Sequence, residues 1–212
     1  KNLQVDFFNS QTFQFITTNA GAARAEGVEL EAQYAPHAVP GLTLFGSLNY
    51  NNTQYLEFFA PCFGGQSIAA GCNTTFQGGA GQDLSGVETA AAPEWTASVG
   101  GNYEAEVGDD FVLNIGANGR WSDSYLGSNF GHPLSRQKSY INIDASIRLG
   151  TADGQWELAL LGRNLTNAFV IGGTLDQPNS GVGTGTNNAI PADQTGFVSL
   201  PRTVRAQLTW RY

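Results

Sequence analysis

The sequence has no methionine, only two cysteines and two histidines, and only 13% charged residues. It contains no run of about 18 apolar residues, which excludes a transmembrane helix. Its 18 acidic residues outnumber ten Lys and Arg, and these basic residues are scattered along the chain. Because nucleic-acid phosphates require a clustered basic surface, we expect no nucleic-acid partner.

The scarcity of cysteine and histidine also limits the chemistry. Two cysteines without a further Cys or His nearby do not provide a metal site. Neither His37 nor His132 lies in a pattern typical of a nucleophilic triad, and we interpret both as solvated loop residues. We therefore expect no enzyme, no metal and no cofactor. The chain also lacks a starting Met and a signal peptide, which indicates a piece of a longer protein.

Alternation of apolar and polar residues is the main pattern that the sequence does contain. In the last stretch, residues 202–212, successive side chains of an extended strand point to opposite sides. One face carries Val204, Ala206, Leu208, Trp210 and Tyr212, and the other carries Thr203, Arg205, Gln207, Thr209 and Arg211. A Trp and a Tyr at the end of an apolar row are typical of a membrane interface.

The same alternation recurs along the chain and predicts about eight antiparallel strands. They lie near residues 2–8, 12–34, 42–59, 95–104, 111–121, 141–149, 156–160 and 203–212. Apart from a short first tip at 9–11, tight turns at 36–41, 107–110 and 150–154 alternate with longer loops at 60–93, 127–137 and 172–196. Short turns on one side and long loops on the other are typical of an outer-membrane β-barrel, whereas a soluble sandwich has no physical reason to sort its loops.

Three motifs resemble those of the TonB-dependent outer-membrane receptors. The first is Asn19-Ala20-Gly21 followed by Ala25-Glu26-Gly27-Val28-Glu29-Leu30-Glu31, the second is Arg163-Asn164-Leu165-Thr166-Asn167, and the third runs from Pro201-Arg202-Thr203 to Tyr212. The resemblance implies an all-β, antiparallel transmembrane barrel of 22 strands, of which these are about the last eight. Residues 1–212 would then be the C-terminal segment of the barrel domain, with the plug domain and the earlier strands absent.

The resemblance also implies a function and partners. Receptors of this family take up a scarce nutrient across the bacterial outer membrane, driven through TonB. We expect an iron-siderophore complex as the solute, with cobalamin or a saccharide as alternatives. Outer-membrane lipid would surround the barrel, and the plug domain and TonB would act through the missing N-terminal part.

Two groups of strand residues have expected positions in such a barrel. Nine charged residues fall on the polar faces and are expected to line the lumen and contact the plug: Glu29, Glu31, Glu104, Arg120, Asp144, Arg148, Glu157, Arg163 and Arg205. Aromatic residues near strand ends are expected to form girdles at the membrane interfaces, with packing in a soluble β-sandwich core as the alternative: Trp95, Trp121, Trp156, Trp210 and Tyr212, with Tyr34 and Tyr50.

Cys62 and Cys72 lie in a polar, Gly-rich loop that is predicted to be extracellular. In an oxidising compartment a disulfide between them is expected to stabilise the loop by roughly 2–3 kcal/mol, chiefly by restricting the unfolded chain.

Two alternatives to a receptor remain open at this point. A complete eight-strand barrel with a structural or adhesion role explains the strand count, but its lumen would be filled by side chains. It would pair residues 1–8 with the final strand. An outer-membrane enzyme would need a Ser, a His and an acid at the strand tips, and His132 with Ser128 or Ser135 is the only candidate cluster in the sequence.

Overall fold

The computed structural model describes residues 4–9, 14–19 and 21–212. Four parts of the predicted segments lie outside these residues: positions 2 and 3 of the first strand, the tip at 10–11, positions 12 and 13 of the second segment, and Ala20 of the first motif. The strands, numbered in chain order, are β1 (Gln4–Asn9), β2 (Gln14–Asn19), β3 (Ala22–Tyr34), β4 (Leu42–Glu57), β5 (Phe59–Pro61), β6 (Thr74–Phe76), β7 (Gly79–Asp83), β8 (Trp95–Val107), β9 (Phe111–Ser122), β10 (Tyr125–Leu126), β11 (Arg136–Gln137), β12 (Tyr140–Thr151), β13 (Trp156–Arg163), β14 (Ile171–Asp176), β15 (Gln194–Val198) and β16 (Thr203–Trp210).

Seven of these strands form one antiparallel sheet in the order β16-β13-β12-β9-β8-β4-β3. The predicted all-β antiparallel fold is therefore confirmed. A 3₁₀ helix at Pro133–Ser135 lies between β10 and β11. Among the residues that the structure describes, no helix is long or apolar enough to cross a membrane.

The sheet is open within the described part of the chain. Strands β3 and β16 each pair on one side only, and β1 pairs with β2 in a separate hairpin rather than with β16. This pairing excludes the closed eight-strand barrel for these residues.

The predicted sorting of connections is confirmed. Tight turns join β3 to β4, β8 to β9 and β12 to β13, and antiparallel topology places all three at one end of the sheet, the turn side. The opposite end, the loop side, carries the connections at 58–94, 123–139 and 164–202. These three loops contain the smaller strands β5–β7, β10–β11 and β14–β15, which the sequence pattern did not predict.

The register gives the sheet one apolar face and one polar face, because residues directly opposite each other in an antiparallel pair lie on the same side. Leu149, for example, pairs with Leu113 and with Leu158, and Leu158 pairs with Leu208. On the polar face, Glu31, Ser47, Ser98 and Arg120 form a corresponding row.

No second layer formed by the described residues covers the apolar face. Its aliphatic side chains are between 38% and 70% exposed at Val28, Leu30, Leu44, Leu48, Val99, Ile115, Ile141, Ile143, Ile147, Leu158, Leu160, Val204 and Leu208. A water-soluble sheet buries such a face against a second layer. The main cluster of buried apolar residues lies instead on the loop side, where Val5, Tyr55, Phe58, Ala60 and Leu84 pack together.

The turn between β3 and β4 depends on a glycine. Gly41 has a φ of +80°, and a Cβ at this position would lie 1.9 Å from the carbonyl oxygen of Glu104. Its counterpart in the turn between β8 and β9, Gly108, has a φ of +65° but no atom within 4 Å of such a Cβ. Substitution at the two positions therefore distinguishes the cost of backbone strain, which both share, from the cost of steric overlap, which only Gly41 has.

We expect Gly41→Ala to destabilise the folded full-length receptor more than Gly108→Ala. The left-handed backbone costs each alanine about 1–2 kcal/mol, and only Gly41→Ala also forces the neighbouring strand to move. Urea unfolding of the two variants measures the difference. Equal destabilisation would contradict the close approach of Gly41 to β8.

Candidate functional site

The polar face is the first part of the candidate site. The register places all nine charged residues that the sequence singled out on this face of the sheet. Arg148 and Glu157, on adjacent strands, form an ion pair of 3.3 Å between Nη1 and Oε1. The face therefore carries charges of both signs, held at fixed positions by the strands.

A third member of the nine, Asp144, contacts the backbone at the start of the third loop. The Asp144 carboxylate accepts a hydrogen bond of 2.8 Å from the backbone N–H of Asn164, directly after β13 ends. Asn164 has a φ of +49°, and its side chain donates to the carbonyls of Ala168 at 2.9 Å and Leu200 at 3.0 Å. Asp144 and Asn164 thus fix the base of the third loop.

The rest of this motif continues the sheet after β13 has stopped. The backbone N–H of Leu165 donates to the carbonyl of Ile143 at 2.7 Å, and the Thr166 hydroxyl donates to the carbonyl of Ile141 at 2.7 Å. Asn167 Oδ1 accepts from the backbone N–H of Arg202 at 3.1 Å. The sequence pattern singled out these residues as a motif. In the structure they extend the hydrogen bonding of the sheet beyond the end of β13, toward β12 and the segment before β16.

The aromatic residues lie in two rows on the apolar face. Trp95 lies 4.7 Å from Tyr50, measured between ring centroids, near the loop side, and Trp156 lies 5.8 Å from Phe111 near the turn side. Trp121 extends the first row, and Trp210 pairs with Trp156 in the second. Tyr212 lies two residues beyond Trp210, the last residue of β16.

The separation of the two rows can be estimated from the register. Ile141 pairs with Trp121 and Thr151 pairs with Phe111, so the rows are about ten residues apart, or about 34 Å along a strand. A strand tilt of about 45° reduces this distance to about 24 Å across a membrane. That value matches the apolar band of outer-membrane barrels, about 25 Å tall.

The second part of the candidate site is the loop assembly, which we define as residues 58–94, 123–139 and 164–202. A disulfide joins Cys62 and Cys72 in the first loop, with a Cα–Cα distance of 5.6 Å, as the sequence predicted. Gln66, inside this disulfide loop, donates to Gln82 Oε1 at 2.9 Å, and Gln82 donates to the carbonyl of Phe130 at 3.2 Å. Both glutamines are buried, so the first two loops share an internal polar contact.

The first and third loops interlock. The Asp176 carboxylate accepts from the backbone N–H of Gly64 at 2.6 Å and from Gln194 Nε2 at 2.7 Å, while the N–H of Ala192 donates to the carbonyl of Gly64 at 2.8 Å. Gly65 has a φ of +68°, and a Cβ there would lie 1.7 Å from the carbonyl oxygen of Ile190. Only glycine permits this approach.

The second and third loops are joined by two buried side chains. Tyr125 donates to the carbonyl of Ile171 at 2.7 Å, and burial raises the pKa of its hydroxyl. Gln137 Oε1 accepts from the N–H of Ile171 at 2.8 Å, and Gln137 Nε2 donates to the carbonyl of Phe169 at 3.2 Å. The three loops therefore form one hydrogen-bonded body at the end of the sheet.

The interpretation of His132 as a solvated residue was wrong, because its side chain is fully buried in the loop assembly. His37, in the turn between β3 and β4, is exposed as predicted. No local sequence pattern indicates the burial of His132, since its neighbours come from loops distant in the chain.

The serines near His132 do not form a nucleophilic arrangement. The Ser135 hydroxyl donates to the backbone carbonyl of His132 at 2.6 Å, and the Ser128 hydroxyl accepts from the backbone N–H of Phe130 at 3.2 Å. The imidazole Nδ1 accepts from the backbone N–H of Leu134. Both serine hydroxyls thus form hydrogen bonds with the local backbone.

An open sheet with one exposed aliphatic face, one charged face and all long loops at one end defines the wall of a transmembrane β-barrel. A family model described as "TonB dependent receptor-like, beta-barrel" matches residues 1–165, and the chain belongs to this family. Membership in this family confirms the predicted outer-membrane location and the prediction that the chain is not an enzyme.

Two solved structures share this fold. The ferric yersiniabactin uptake receptor FyuA from Yersinia pestis is 17% identical, with a TM-score of 0.63 over 91% of this chain and 24% of that one. The siderophore receptor PiuA from Acinetobacter baumannii is 16% identical, with a TM-score of 0.61 over 100% of this chain and 24% of that one. The chain therefore spans about a quarter of the length of each receptor. The comparison with curated proteins gave no match.

We expect the double variant Cys62→Ser, Cys72→Ser to loosen the loop assembly without changing the sheet. Loss of a disulfide closing a loop of this size costs about 2–3 kcal/mol, and Gln66 inside the loop contacts Gln82. Limited proteolysis of the full-length receptor should give new cleavage within residues 58–94, with the strands remaining protected. An unchanged cleavage pattern would contradict a stabilising role for the disulfide.

Proposed function

We propose that the chain is the C-terminal segment of the barrel domain of a receptor for TonB-dependent uptake of a scarce nutrient, with an iron-siderophore complex as the solute. The observation that carries the proposal is the sheet itself, with its exposed aliphatic face, its charged face and its interlocked loops at one end. The siderophore assignment is supported by the two structural relatives, a ferric yersiniabactin uptake receptor and a siderophore receptor.

In this proposal the apolar face contacts outer-membrane lipid and the polar face lines the lumen. Transfer of the exposed aliphatic side chains from water into hydrocarbon lowers their free energy. The two aromatic rows suit the two membrane–water interfaces. The turn side then faces the periplasm and the loop assembly faces the exterior, as in other outer-membrane barrels.

The nine charged residues of the polar face are proposed to contact the plug domain, which lies in the part of the receptor that this chain does not include. Carboxylates and guanidinium groups on a strand face can form charge-assisted hydrogen bonds with a domain seated in the lumen. TonB would act on that plug domain, so the energy coupling does not pass directly through these residues.

A lysine on each face of β9 tests which face meets lipid. Ile115 is 42% exposed on the apolar face, midway between the aromatic rows, and its neighbour Asn114 lies on the polar face beside Glu104 and Arg148. In the full-length receptor we expect Ile115→Lys to cost about 2–4 kcal/mol at the bilayer midplane and Asn114→Lys to cost much less. Folding titrations into bilayers measure both, and the reverse order would refute the assignment of faces.

Uptake assays test the solute. Cells carrying the full-length receptor should accumulate ferric siderophore under iron limitation, and removal of TonB should abolish the accumulation. Cobalamin and oligosaccharides are the comparison ligands. Transport of either of these, with no ferric siderophore bound, would refute the siderophore assignment.

A further inference from the structure

His132 occupies the junction of the three loops. It precedes the 3₁₀ helix at Pro133–Ser135 as its N-cap and is fully buried. Its ring packs 4.4 Å from the ring of Phe63, measured between centroids, so it contacts the disulfide loop. The third loop reaches the same place through Asp176 and the backbone of Ala192.

The hydrogen bonds of His132 define which nitrogen carries the proton. Nδ1 accepts a hydrogen bond of 3.1 Å from the backbone N–H of Leu134, so the neutral imidazole carries its proton on Nε2. Nε2 forms no hydrogen bond of normal geometry within the described residues. A second proton would have to enter at Nδ1, where it would face the N–H of Leu134.

Few charges from the surrounding elements face this imidazole. From β14, the Asp176 carboxylate is nearby but already accepts from Gly64 and Gln194. The disulfide loop contributes no titrating cysteine, because Cys62 and Cys72 are bonded to each other. Asp193, which follows Ala192, is exposed. In the segment of His132 itself, Arg136 forms an ion pair with Glu88.

We propose that His132 is an acid-sensitive latch, whose protonation at Nδ1 breaks the cap of the 3₁₀ helix and separates the three loops at the mouth of the barrel. Two events occur together when the imidazole gains a proton. The acceptor for the Leu134 N–H is lost, and a full charge appears at a buried site where the Asp176 carboxylate and the Ala192 backbone compensate for it only in part. Both favour the state in which the loops open and His132 reaches water.

The direction of the pH dependence follows from linkage. Burial lowers the pKa of His132, and the Asp176 carboxylate and the Ala192 backbone oppose this effect only in part. The closed assembly therefore binds fewer protons than the open one, and its stability falls as the pH falls. The closed state is fully stable above the ordinary histidine pKa of about 6.5 and loosens below it.

Hydrogen exchange of the full-length receptor in a bilayer, measured at about pH 7.5 and about pH 5, tests the latch. After correction for intrinsic rates, we expect exchange in the loop assembly to rise by about tenfold at the lower pH. The strands β8 and β9 serve as the internal reference and should not change. This readout requires no ligand and is independent of the solute assignment.

Two variants make the test specific. His132→Asn retains an acceptor for the Leu134 N–H but cannot gain a proton, so its loops should stay protected at both pH values. His37→Gln, in the exposed turn at the other end, should retain the wild-type response. A response of His132→Asn equal to that of the wild type would overturn the proposal.

If the His132→Asn receptor does not fold into the bilayer, the pH dependence of hydrogen exchange in the wild-type receptor tests the latch by itself. Faster exchange confined to the loop assembly, with a midpoint below about pH 6.5, supports the latch. Unchanged exchange, greater protection in acid, or an equal increase in the strands would overturn it.

Discussion

The seven-stranded sheet needs two different surroundings, and the rest of the structure depends on this requirement. Its backbone groups are paired strand to strand, its aliphatic side chains project to one side and its charged side chains project to the other. Exposure of the aliphatic face to water is unfavourable, and so is exposure of the charged face to hydrocarbon. A sheet of this kind is stable only as a partition between lipid and an aqueous or protein-filled interior.

This constraint explains where the molecule keeps its buried residues. In the sheet, few of the described side chains are buried, namely Tyr55, Ser122 and Ala159, and Tyr55 lies near the end of β4 where it packs against the loop residue Phe58. The loop assembly, in contrast, contains Phe58, Phe63, Gln66 and His132. The wall is held by the membrane and by its neighbouring strands, so it needs no core of its own. The loops project beyond the membrane and must supply their own packing, a disulfide and a network of buried hydrogen bonds.

The same division decides what sequence reasoning could predict. Alternation with a period of two is a local signal, so the faces of β12 and β16, the positions of the tight turns and the shared face of Glu31 and Arg120 all followed from it. The open edges of the sheet, at β3 and β16, were expected from the resemblance to a larger barrel, because no local sequence pattern predicts them.

The loop assembly could not be predicted in the same way. The contact of Gly64 with Asp176 joins residues 112 positions apart, and the burial of His132 depends on Phe63 and Ala192 from two other loops. Glycine-rich, polar composition indicates a loop but does not indicate its internal strands or its partners. The close approach of Gly65 to the carbonyl oxygen of Ile190 shows how tightly these segments pack, and this approach is a property of the fold that the sequence does not encode locally.

In the proposed barrel, alternate residues of one strand face lipid and the barrel interior. Spin labels placed one at a time along β12, at positions 141–149 of the full-length receptor in a bilayer, test it most directly through collision with oxygen, which partitions into hydrocarbon, and with a water-soluble nickel chelate. We expect high oxygen accessibility at Ile141, Ile143, Ile147 and Leu149 and low oxygen accessibility at Asn142, Asp144, Ser146 and Arg148. Equal values along the strand, or odd positions shielded from both reagents as in a dry protein core, would contradict it.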